Sequence, residues 1–214
     1  MNCIVTAGPT FESLDEVRRL TNFSTGRLGT ELANFLTARG HTVTLLLGES
    51  ATWPGERQAQ RVQRFAATKD LRARLKACAR KPVDAIFHAA AVSDFTFGQM
   101  FTRDAAGQLT RFTPTRKITT RGGRLLVELI PTPKILAELR GWFPRTRLVG
   151  WKFQVDGARA GALRAARNQI AECATDACVA NGSAYGPGFG LVTSQGRKHL
   201  ADPAKLFAAL EGLL

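Results

Sequence analysis

From Ile4 to Ala33 the chain reads IVTAGPTFESLDEVRRLTNFSTGRLGTELA, an apolar strand, a long polar loop and then a helix. Amides at a helix N-terminus have no intrahelical acceptor, and the helix dipole adds partial positive charge, so Ser24, Thr25 and Gly26 are placed to take phosphate oxygens. Gly8, just past the strand, lets backbone approach a ligand. A dinucleotide turn needs only about six residues, whereas roughly fifteen polar ones precede this helix, among them Glu12, Asp15, Arg18, Arg19 and Asn22, so the loop has a second task. Taken alone, Thr25-Gly26-Arg27-Leu28-Gly29 is a weak glycine motif. It also fits a plain helix start in which Gly29 lets the helix pack closely on a strand.

The surrounding pattern alternates strand and helix. Strands are expected at 2–6, 42–47, 61–66, 84–89, 125–130, 146–155 and 177–180, with helices at 26–39, 69–80, 133–143 and 158–173. A terminal hairpin, 189–193 with 197–200, precedes a helix capped by Asp202 with Pro203 at its first position. This βαβ rhythm predicts an α/β fold, a Rossmann-like, doubly wound, mostly parallel sheet in one domain spanning 1–214. In such sheets ligands bind at the carboxyl ends of the strands. Five segments reach that edge: Gly8, the start of the first long helix, Ala91 to Asp94, Trp151 with Lys152, and Asn181. Between Phe95 and Arg124 glycines and prolines interrupt any periodicity, and an irregular flap carrying Lys117 is expected.

The chain has 214 residues and a net charge of +13. Its length can bury roughly 70% of the unfolded surface, enough for one core. No apolar run is long enough for a membrane span, and the N-terminus has no secretory pattern, which points to a cytoplasmic protein. Cys3, Cys78, Cys173 and Cys178 lack zinc-site spacing and are expected as packed thiols. The positive charge suits acidic small molecules; its spread over helix faces, without a compact tail or aromatic platform, argues against nucleic acid.

The segment TAGPT-x-E-x-L-D-x-V-R-x-L-T-N-x-S-T-G-R-L-G, with HAAAVSDF at 88–95, KITT at 117–120, LIPTPKIL at 129–136 and LVGWKFQVD at 148–156, resembles the phosphopantothenate-cysteine ligases, in their stand-alone form. The resemblance covers most of the chain in order and spacing. It implies coenzyme A synthesis: 4'-phosphopantothenate is activated by a nucleoside triphosphate to an acyl-nucleotide, and cysteine then displaces the nucleotide. It also implies roles. Asn22 would form and hold the acyl-nucleotide, its amide able to donate to an oxyanion and to accept as well; helix capping, the plainer use of an Asn here, can be left to Ser24. Arg18 would grip a substrate carboxylate or phosphate, and Lys117 would neutralise the triphosphate. Asp94 would take the ribose hydroxyls, and Ala91, Trp151, Lys152 and Asn181 would complete the nucleotide site.

The same resemblance implies Mg2+ carried mainly by phosphates and water, since no carboxylate cluster has metal-site spacing. CTP or ATP is the co-substrate, no FMN is implied, the decarboxylation is expected elsewhere, and the assembly is expected to be a homodimer. Phe11, Trp151 and Gly182 depart from the family's common Arg, Phe and Asp. Two rivals remain: a nicotinamide-dependent Rossmann oxidoreductase, for which the only tyrosine, Tyr185, lacks a lysine four residues on, and a basic nucleic-acid-binding module.

Overall fold

The structure, a computed structural model, describes residues 1–113, 116–119 and 123–214. Pro114, Thr115, Thr120, Arg121 and Gly122, all within the expected flap, lie outside the described residues.

An eight-stranded sheet forms the centre of the molecule. It contains β1 (Asn2–Ala7), β4 (Thr42–Gly48), β5 (Arg61–Phe65), β6 (Ala85–His88), β10 (Arg147–Phe153), β11 (Ala177–Asn181), β12 (Phe189–Thr193) and β13 (Gly196–Leu200). The order is β13-β12-β11-β10-β6-β1-β4-β5. Six strands, β11 to β5, run parallel, and β12 and β13 close one edge as an antiparallel hairpin.

The helices are α1 (Arg27–Ala38), α2 (Thr68–Cys78), α3 (Ile135–Trp142), α4 (Arg159–Cys173) and α5 (Pro203–Glu211). Leu32, Leu36, Phe207 and Leu210 cover one face of the sheet with Val5, Val43, Phe87 and Val179. Leu71, Leu75, Ile135 and Leu139 cover the other with Ile4, Leu46, Ile86 and Leu148. The strands read as nearly continuous apolar runs because both their faces are buried. After β1 the chain crosses to β4 on one side, while after β6 it eventually reaches β10 on the other. The switch point therefore lies between β1 and β6, where a doubly wound sheet opens a crevice.

Helix α1 lies very close to β1. A Cβ at Gly29 would sit 2.7 Å from Ala7 Cβ, so the packing reading of that glycine holds. The helix is capped by Gly26, at φ 79°, and not by Ser24; Thr25 Oγ1 accepts the Arg27 amide at 3.3 Å, and the Ser24 amide turns back to the Asn22 carbonyl at 2.9 Å. Asp202 does cap α5, accepting from the Lys205 amide at 2.8 Å, with Pro203 at the first position. Pro133 stands just ahead of α3, whose N-cap is Lys134.

Two segments differ from expectation. The long polar loop contains a small antiparallel pair, β2 (Phe11–Ser13) and β3 (Arg19–Thr21). The flap is regular in its described part: β7 (Phe95–Arg103), β8 (Leu109–Phe112) and β9 (Arg124–Pro131) form a separate antiparallel sheet, ordered β8-β7-β9. The expected strand at 125–130 thus belongs to the flap. A register shift between Phe97 and Met100 hid the alternation, and Glu128 Oε2 holds this bulge by accepting the Gln99 amide at 2.9 Å.

Candidate functional site

At the carboxyl ends of β1 and β6 the two emerging loops stay paired. The Ala91 amide donates to the Gly8 carbonyl at 3.0 Å, and the Thr10 amide donates to the Ala91 carbonyl at 3.1 Å. Above them opens a cleft of about 1320 Å³. Gly8, Asn22, Ser24, Thr25, Gly26, Ala91, Asp94, Trp151, Lys152 and Asn181 all line it, so ten side chains or backbone sites nominated from five separated segments meet in one cavity. Arg18 and Lys117 are not among its lining residues.

Gly8 and Gly26 share a physical reason. Both have positive φ, 80° and 79°, and a Cβ on either would come within about 3 Å of Ala51 Cβ, at 2.8 and 3.0 Å. A side chain at either would push against Ala51 in the loop after β4, and one at Gly26 would also press on the Gly8 backbone, 3.3 Å away.

Asn22 reaches across to the second loop. Its Nδ2 donates to the carbonyls of Ala91 (3.2 Å) and Val92 (3.1 Å). Both amide hydrogens are committed, so the atom offered to a ligand is the acceptor Oδ1. Of the two roles expected for this amide, the geometry leaves the acceptor Oδ1 uncommitted while Nδ2 is engaged by the second loop. The loop is further held by Ser93, whose amide donates to Thr10 Oγ1 at 2.8 Å, and by Asp94, whose carbonyl accepts the Thr132 amide at 3.0 Å. The exposed Asp94 carboxylate is left free of this backbone tie.

Arg18 has a different occupation. Its Nε donates to Asp15 at 2.9 Å, its Nη2 donates to the Ile118 carbonyl at 2.8 Å, and the Ile118 amide donates to Asp15 Oδ2 at 3.0 Å. This pair clamps the Lys117–Ile118 loop onto the β2–β3 turn. The Arg18 guanidinium holds the Asp15 carboxyl well below the usual carboxylate range, helped by backbone amides and opposed by burial. Glu12 makes a second tether: its carboxylate accepts from the Thr68 amide at the start of α2 and from Thr96 Oγ1 in β7, both at 3.0 Å. Neither bridge was readable from spacing, because each joins residues far apart in sequence.

The cleft's charges are mostly paired. Arg27 meets Glu31 at 2.8 Å, and Lys134 meets Glu172 at 3.0 Å. Among the described residues Lys152 has no carboxylate partner, which leaves it as the lining cation most open to an anion. Trp151 Nε1 and Asn181 Oδ1 are sealed from solvent without a hydrogen-bond partner among the described residues. No group of three or more His, Cys, Asp or Glu suited to a metal occurs among the described residues.

The four cysteines are free thiols; burial pushes Cys3 up to about 11 and Cys178 up to about 12, far from nucleophilic use. Tyr185 is buried against His199, its hydroxyl 2.9 Å from Nδ1, and does not line the cleft, which removes the proton donor a nicotinamide dehydrogenase would need. Among the described residues no helix is long and apolar enough to cross a membrane.

The architecture is that of a Rossmann-like α/β domain with its crevice at the switch point and a β-sheet flap beside it. The chain belongs to the family described as the DNA/pantothenate metabolism flavoprotein C-terminal domain, which matches residues 1–205. It is 32% identical over 181 residues to the coenzyme A biosynthesis bifunctional protein CoaBC of Thermococcus kodakarensis, covering 83% of this chain and 40% of that protein. It is also 33% identical over 153 residues to a cysteine/cysteine sulfinic acid decarboxylase from an unknown prokaryotic organism, covering 71% of this chain and 38% of that one. The chain therefore spans about two fifths of the length of these curated relatives.

Among solved structures, a DNA/pantothenate metabolism flavoprotein from Streptococcus pneumoniae superposes with TM-score 0.85 at 24% identity, covering 100% of this chain and 97% of that one. A Cab2 mutant in complex with phosphopantothenate-cysteine gives TM-score 0.71 at 18% identity, covering 99% and 88%. These likenesses show the fold.

Proposed function

We propose that the chain is a phosphopantothenate-cysteine ligase acting in coenzyme A synthesis. The observation that carries this reading is the meeting, in one switch-point cleft, of ten residues drawn from the segments that resemble the family's motifs, nine of them without the departure seen at Trp151. The complex of a structural neighbour with phosphopantothenate-cysteine supports the same substrate class.

In the reaction proposed, the carboxylate of 4'-phosphopantothenate attacks the α-phosphate of a magnesium-bound CTP or ATP, forming an acyl-nucleotide and releasing pyrophosphate. The cysteine amine then attacks the acyl carbon, the amide C–N bond forms, and the nucleoside monophosphate leaves. Such chemistry depends on positioning and charge neutralisation more than on a side-chain nucleophile. In this reading the α1 N-terminus and Lys152 hold phosphates, Asp94 holds the ribose, and Asn22 Oδ1 accepts from the incoming amine. Arg18 and Lys117 act through the flap, which brings Lys117 to the triphosphate when it closes.

A cytoplasmic homodimer completes the proposal. Phe23, with 111% relative exposure, together with the exposed Leu20, Phe95, Leu129 and Ile130, supplies apolar surface for a second copy. Sedimentation should then report twice the 23.2 kDa chain mass.

The test is to incubate the protein with phosphopantothenate, cysteine, magnesium and each triphosphate in turn, following pyrophosphate and identifying the monophosphate. Release with one triphosphate, dependent on phosphopantothenate, is the expected result; none with any of them overturns the proposal. Asn22→Ala should lower turnover by at least ~100-fold while leaving the melting transition nearly unchanged.

A further inference from the structure

Given the ligase reading of the cleft, on which this depends, we infer that the buried imidazole of His88 is a ligand-binding donor. Its Nε2–H takes an anionic oxygen of a molecule in the cleft, and Thr6 is the positioning residue that fixes it in that state.

His88 ends β6, lies opposite Thr6 of β1 and Gly150 of β10, and is 5% exposed while lining the cleft. Its Nδ1 is 3.0 Å from Thr6 Oγ1, and the same Oγ1 accepts the Ala90 amide at 3.0 Å. The Thr6 hydroxyl carries one hydrogen. If Nδ1 were protonated, that buried hydrogen would be stranded without an acceptor among the described residues. The consistent arrangement has Thr6 donating to Nδ1, which places the ring hydrogen on Nε2, the ring's remaining polar atom.

Burial also lowers the imidazole to about 4, so at neutral pH the ring is an uncharged donor. At Gly150, the β10 residue paired in register with His88, a Cβ would sit 2.6 Å from Gln169 Nε2 and 2.9 Å from Leu136 Cδ2, so the space over that neighbouring strand position is already filled. A buried, locked donor of this kind is a poor choice for mere packing and a good one for an oxygen arriving from the cleft. That oxygen belongs either to the triphosphate or to the phosphate or carboxylate of phosphopantothenate.

Nitrogen NMR of histidine-labelled protein separates the possibilities, since the chain has only 3 histidines. The free protein should show His88 with Nδ1 unprotonated and Nε2 protonated. Addition of magnesium-CTP or magnesium-ATP in one arm, and of phosphopantothenate in the other, should move the His88 Nε2–H signal in the arm whose oxygen it binds, with His41 and His199 unmoved. For that ligand His88→Leu should weaken binding by about ten- to a hundredfold, and His88→Gln, which keeps a donor at the end of the side chain, should restore most of it.

Thr6→Val should shift the ring toward the Nδ1–H form and weaken the same ligand. Where His88→Leu fails to fold, the resonance shift and Thr6→Val decide alone. An Nδ1–H ring in the free protein, or a His88 signal indifferent to both ligands in a protein that binds and turns them over, overturns the inference while sparing the ligase reading. Failure of the unaltered protein to bind either ligand overturns both.

Discussion

The central sheet and the flap sheet are held by opposite means. Leu45, Leu46, Ile86, Phe87, Leu148 and Val179 of the central strands are wholly buried. Of the described flap residues from 95 to 131, only Met100 and Ile118 join the buried apolar set, and Phe95, Leu109, Leu126, Leu129 and Ile130 are exposed. The flap is instead tied down at points, by Glu12 to Thr96 and by Asp15 and Arg18 to Ile118. Apolar burial is non-directional and gives a cooperative body, whereas a few polar tethers can be released one at a time without unfolding anything else. In the proposed ligase, a cover that admits and releases substrates would need the second kind of attachment.

The contrast breaks most visibly at Phe87. Phe87→Ala should cost about 3–5 kcal/mol of global stability, read as a large fall in denaturant midpoint. If the loss is below about 1 kcal/mol, the central sheet is not the cooperative body described. Next comes Glu12→Ala, which strands the Thr68 amide and the Thr96 hydroxyl; about 1–3 kcal/mol is expected, together with faster amide exchange in β7.

Arg18→Met should act locally. The Ile118 amide should exchange about tenfold faster while the global transition barely moves, and an equal loss of both would mean that the flap is part of the core. Acid probes the same clamp. Because the folded Asp15 carboxyl lies below its unfolded value, the clamp's contribution is fully present above about pH 4 and is lost only as pH falls below the ordinary carboxylate range toward the depressed value. Ile118 protection should therefore survive at pH 4 and fail at more acid pH. The smallest effect belongs to Leu129→Ala, half-exposed in β9, where a change of less than about 1 kcal/mol is expected by the same denaturant titration.

Most of the buried framework was legible in the chain. The strands at 2–7, 42–48, 85–88 and 177–181 are mostly apolar, and the helices carry period-3.6 stripes bounded by Gly40, Asp202 and Pro203, so local pattern and final burial agree. Legibility failed where burial did not organise the pattern. In β7 a bulge at 98–99 breaks the alternation, and in β2 and β3 only three residues pair on each side. The helix cap was misassigned to Ser24 because its side-chain type fits a cap, whereas the geometry that closes the turn is a left-handed glycine at 26.

The site divides in the same way. That Gly8, Asn22, Asp94, Trp151 and Asn181 belong near a strand edge could be read from motif and order, since a parallel sheet sends every such loop to one side. Residue type does not reveal partners, and partners are what distinguish the roles. Arg18 has the fork to grip a substrate, yet Asp15 and Ile118 occupy it; Asn22 can donate or accept, yet Ala91 and Val92 consume its hydrogens. His88 passed as one more strand residue until Thr6, 82 positions away, faced its Nδ1. Hydrogen bonds are short-ranged and directional, so their choice among chemically equivalent partners is made only when the chain is folded.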